Sequence, residues 1–147
     1  MIRWTNTIGY RLPLLAVLVL ALPIGCDNKG RYPVHGRVTY PDGSPLTEGI
    51  VIGEMDKGEA RVMARGNVNS DGTFSWGTQR PGDGAEPGKY RIVVMPRSVG
   101  EYEASQGKLP DVDPKFSDPK TSGITFEVKP GKNELEITVF RPQPGRR

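Results

Sequence analysis

The sequence holds one cysteine, Cys26, and one histidine, His35, and those two counts remove most reaction chemistry at once. A catalytic zinc site takes three protein ligands, usually histidines with a carboxylate or a cysteine. Here His35 is followed by Gly36, Arg37 and Val38, and no second histidine exists. A serine triad centred on His35 would need an acid and a serine brought to it from other strands. The plainer reading is a histidine on the exposed face of a strand. Lys29 and Arg31 are the only cations close to Cys26 in the sequence, too little to make a reactive thiolate of it.

Asp111, Asp113 and Asp118 could offer oxygen ligands to a calcium ion. Their spacing lacks the glycine and terminal glutamate of an EF-hand, and Asp113 and Asp118 precede prolines. The expectation is a solvated acidic loop, with no metal and no cofactor. Phe74, Trp76 and Tyr90 could stack on sugar rings, as flat aromatics do. However, Phe74 and Trp76 alternate in phase and Tyr90 alternates with Ile92, which assigns all three to a core. Tyr102 and Phe116 are left as the aromatics of a candidate binding loop.

The elements that carry these residues are strands. Asp71-Gly72 is a tight-turn signal, because Asp tolerates a left-handed backbone and Gly takes positive φ freely. Val34, Gly36, Val38 and Tyr40 alternate against His35, Arg37 and Thr39, which is the period of a half-buried strand. Ile50 to Met55 forms a second, with Gly53 inside it as a bulge or a close approach. Val62, Ala64, Gly66 and Val68 share the inner face of a third, and Phe74 and Trp76 follow on a fourth. Pro87-Gly88 launches Tyr90, Ile92 and Val94 on one face, with Arg91, Val93 and Met95 on the other. Ile124, Phe126 and Val128, then Leu135, Ile137 and Val139, complete seven strands. Between them, Pro96 to Gly123 shows no pattern, and a loop that long is functional or partly disordered. The fold expected is all-β, a seven-stranded antiparallel β-sandwich over residues 32–141, with a frayed tail at 142–147.

Residues 1–25 read as an export signal. Arg3 and Arg11 precede the apolar run Leu12–Leu22, which falls short of the roughly 20 residues that span a bilayer. Gly25 then precedes Cys26, and this resembles a bacterial lipoprotein signal whose cysteine is lipidated and becomes the mature N-terminus. Pro23 departs from the branched aliphatic residue usual in that motif. Residues 26–31 form a short tether, so the domain is expected close to the headgroups. The resemblance implies anchoring at the cell membrane or outer membrane, facing the periplasm or the exterior. Without the signal, eighteen basic residues face seventeen acidic ones. No basic face survives that balance, which excludes a nucleic-acid partner.

Several segments together resemble the carboxypeptidase regulatory-like domain, a transthyretin-like sandwich. They are Gly36 to Tyr40 with Asp42 to Leu46, Asn69 to Phe74, Pro87 to Val94, and Lys115 to Pro119 with Thr121 to Ile124. Alternation alone would equally suit an immunoglobulin-like domain. The resemblance implies a module that is not an enzyme. The function expected is a membrane-anchored binding or interaction module of the cell envelope, with an envelope protein or polysaccharide as partner. The alternative is a carbohydrate-binding accessory domain of the cell surface that uses Tyr102 or Phe116.

Overall fold

Seven strands form where the apolar alternation places them. They are β1 (Val34–Thr39), β2 (Gly49–Lys57), β3 (Ala60–Val68), β4 (Thr73–Ser75), β5 (Gly88–Pro96), β6 (Ile124–Val128) and β7 (Asn133–Thr138), with a 3₁₀ turn at Pro114–Ser117. This computed structural model describes residues 30–98, 100, 101, 105–107 and 110–143. The signal segment, Cys26, Tyr102 and residues 144–147 lie outside the described residues. No helix among the described residues is long and apolar enough to cross a membrane.

The strands form two sheets, ordered β4-β1-β7 and β3-β2-β5-β6, stacked as a β-sandwich. Four of the pairings are antiparallel. The fifth corrects the all-antiparallel expectation: β1 and β7 run parallel, from Val34 opposite Asn133 to Thr39 opposite Thr138. Parallel neighbours cannot be joined by a hairpin, and here the connection between them passes through the whole of the second sheet. Side-chain alternation is the same in both kinds of ladder, so it does not distinguish them.

The inner faces close on Trp76, which is fully buried. Its ring lies 5.4 Å from that of Tyr90, 6.3 Å from Phe126 and 6.5 Å from Phe74. Glycines make the room. A Cβ on Gly53 would sit 2.4 Å from Trp76 Cη2, and one on Gly36 would sit 2.5 Å from Phe74 Cζ. The β2–β3 ladder runs unbroken through Gly53, so this residue is a close approach and not a bulge. Aromatic and aliphatic side chains expected in the core are there: Phe74, Tyr90, Ile92, Val94, Leu135 and Ile137 are all buried.

Tyr90 adds a testable consequence. Its hydroxyl donates to the Glu86 carbonyl at 3.0 Å, and burial, with the nearby Glu86 charge, pushes its pKa up to about 12. The unfolded chain releases this proton near pH 10. Stability from Tyr90 is therefore complete below about pH 10 and is lost as pH rises toward 12, with a slope of up to about 1.4 kcal/mol per pH unit. Urea midpoints measured from pH 9 to 12 should show this fall, and Tyr90→Phe should flatten it. A slope unchanged in Tyr90→Phe would refute the assignment.

The long segment after β5 is only partly irregular. Val112 and Phe116 are buried within it. The 3₁₀ turn packs on β5, where the Ser117 hydroxyl donates to the Val94 carbonyl at 3.4 Å. Asp113 N donates to the Phe140 carbonyl at 2.8 Å, and the Tyr40 hydroxyl to the Asp111 carbonyl at 3.0 Å. This half of the segment thus closes one end of the sandwich.

Candidate functional site

The residues with chemical potential fall in three places. On the outer face of the three-stranded sheet, register sets His35 between Ser75 on β4 and Glu134 on β7. His35 Nδ1 and Ser75 Oγ are 2.8 Å apart. Among the described residues no carboxylate comes within 4.0 Å of the ring nitrogens, so the third member that would orient a base is missing. The pair is polar surface, as the alternation implied.

The second place is the end of the sandwich closed by residues 110–123. Phe116 is only 3% exposed, which corrects its assignment as a recognition aromatic: its ring is spent on packing and offers no free face. It stacks on Phe140 at 6.1 Å, and Lys115 Nζ stands 4.7 Å from one ring centre and 4.9 Å from the other. The exposed aromatic here is Phe140, at 47%. The three aspartates do not converge on a cage. Asp113 and Asp118 each accept a backbone N–H two residues on, from Lys115 at 3.0 Å and Lys120 at 2.7 Å. Among the described residues no cluster of three metal-ligating side chains occurs.

The third place went unread in the sequence. A cleft of about 270 Å³ lies beside β3, with Arg65 and Asn67 on one side and the loop Gly77 to Pro81 on the other. Its floor is tied by a reciprocal bridge, Arg65 N to Gly77 O at 3.0 Å and Gly77 N to Arg65 O at 2.9 Å. Asp83 holds the loop. Its carboxylate accepts from Thr78 N at 2.7 Å and Gln79 N at 3.4 Å, and meets Arg31 at 3.2 Å. Partial burial works to raise the Asp83 pKa, but the backbone donors of Thr78 and Arg80 and the Arg31 charge outweigh it, leaving the group below its ordinary value. The cleft escaped notice because its parts come from β2, β3, β4 and a Gly/Pro loop; the closely spaced Gly77, Gly82 and Gly84 around Asp83 were the available signal.

Neither a protein-family model nor a curated protein matches the chain. Among solved structures it is similar to a DUF3823 family protein from Parabacteroides merdae, at 18% identity and a TM-score of 0.44. That match covers 76% of this chain and 46% of the other, so the chain spans about half the length of that protein.

Proposed function

We propose that the chain is a membrane-anchored, non-catalytic β-sandwich lipoprotein that serves as a binding module of the cell envelope. The observation that carries this reading is the opposition of the two poles. At one, Tyr32 pairs with Ala85 and Arg31 is fastened to Asp83, a few residues after Cys26. At the other, residues 110–123 pack over Tyr40 and Phe140. The six residues of β1 separate these ends by about 20 Å. A lipid on Cys26 would hold the first pole against the membrane and turn the second outward, where loops on a rigid sandwich serve recognition. Membership of the carboxypeptidase regulatory-like group is part of the proposal, supported by the Gly36–Tyr40, Asn69–Phe74 and Pro87–Val94 segments.

Growth with a clickable fatty acid is expected to label the protein, and Cys26→Ser should abolish the label and release the protein from membranes. An unlabelled wild-type chain would refute the anchor. For the binding role, cross-linking in intact cells followed by mass spectrometry should return one reproducible envelope partner, protein or polysaccharide. Its absence under saturating cross-linking would count against a binding module.

A further inference from the structure

We infer that the cleft between β3 and the Gly77–Pro81 loop binds an acidic sugar residue, one pyranose ring bearing a carboxylate; this rests on reading the domain as a binding module. The charge comes first. Arg31, Arg61, Arg91, Arg97 and Arg141 each meet a carboxylate. Arg37, Arg65 and Arg80 meet none among the described residues; of these Arg65 and Arg80 line the cleft, and none of the residues lining it is acidic. Two guanidinium groups without a counter-charge suit a carboxylate, which such groups bind through paired N–H donors.

The neutral groups then narrow the ligand. The side-chain amides of Asn67 and Gln79 line the same cleft and make no hydrogen bond among the described residues. Each offers both a donor and an acceptor, the pairing that hydroxyl groups take. Ile50, 38% exposed, adds an apolar wall for the C–H face of a ring. A bare phosphate would engage the arginines and leave the amides and Ile50 unused. At about 270 Å³ the cleft lies below the range of drug-sized pockets, about 300 Å³ upward, which limits it to one ring. The Asp83 clamp and the Arg65–Gly77 bridge hold the walls before a ligand arrives, reducing the ordering cost of binding.

The test is calorimetric titration of the full-length protein in detergent with galacturonate, glucuronate, galactose and inorganic phosphate. Binding is expected for at least one uronate, weakening as salt rises, with galactose at least tenfold weaker. Arg65→Gln and Arg80→Gln should each weaken uronate binding about tenfold, the effect of losing one charge-assisted contact. Asn67→Ala should weaken uronate while leaving any phosphate binding unchanged. Thermal unfolding of the variants should match the wild type, since both arginines are solvent-facing. Phosphate binding as tight as uronate, galactose binding as tight as uronate, or no uronate binding would overturn the inference. If the arginine variants still capture the partner found by cross-linking in cells, and uronate binding is absent, the cleft assignment fails while the binding-module reading stands.

Discussion

Asp83→Ala is expected to destabilise the domain by about 3 kcal/mol, although the residue belongs to a loop. The reason is what the carboxylate holds. Arg31 and Asp83 side chains are 9% and 14% exposed, so removing the acid leaves a guanidinium nearly buried without its counter-charge. That guanidinium has no slack, because Arg31 Nε is buried and already without a hydrogen-bond partner. Two backbone donors, Thr78 N and Gln79 N, also lose their acceptor. Breaking one side of such a pair costs far more than the pair contributes when intact. Replacing both together, Arg31→Met with Asp83→Asn, is therefore expected to recover much of the loss. The Asp83 pKa lies below its ordinary value in the folded state. Its contribution is thus present above about pH 4 and disappears as pH falls through the folded-state pKa. Urea unfolding at pH 7 and pH 3 checks both parts. A loss under 1 kcal/mol at pH 7, or a double variant no better than Asp83→Ala, would show that the clamp does not hold the loop.

The clamp also marks where sequence reading stops. Alternation located all seven strands and most of the core, because burial of one face imposes period two wherever a sheet covers a core. It put Val93 on an outer face, yet Val93 is buried, because a sheet face can be covered by a segment far away in sequence. Alternation is equally blind to the parallel β1–β7 pairing, which is decided by chain routing. Phe116 was misread for the same reason as Val93. The irregular stretch around it has no period, but Asp111 and Asp113 bond it to the sandwich end through their main-chain groups, and main-chain groups leave no mark on residue type. The arginine cleft is assembled from three separated segments, and that Arg65 and Arg80 lack an ion pair among the described residues shows only in three dimensions.

Gly53 and Trp76 give the second large effect, and it should reverse sign with context. Trp76 is fully buried, and Trp76→Ala should cost about 3 to 5 kcal/mol, through lost burial and the cavity left behind. Gly53 has no positive φ, so alanine suits its backbone. The obstacle is the indole, with Cη2 at 2.4 Å and Cζ2 at 2.8 Å from where the new Cβ would lie. The ring is hemmed in by Phe74, Tyr90 and Phe126, so it has little room to retreat. Gly53→Ala is accordingly expected to cost about 1 to 3 kcal/mol by overpacking. With the indole gone, the three atoms nearest that methyl are gone too, and the methyl removes chain freedom from the unfolded state. In a Trp76→Ala background, Gly53→Ala should then stabilise by about 0.5 to 1 kcal/mol. The two substitutions thus couple by more than 1 kcal/mol, well outside the additivity seen for independent sites. Urea unfolding of the four proteins in this cycle measures that coupling directly. If Gly53→Ala costs the same with and without the indole, the glycine is there for a reason other than Trp76, and the account of how this core closes is wrong.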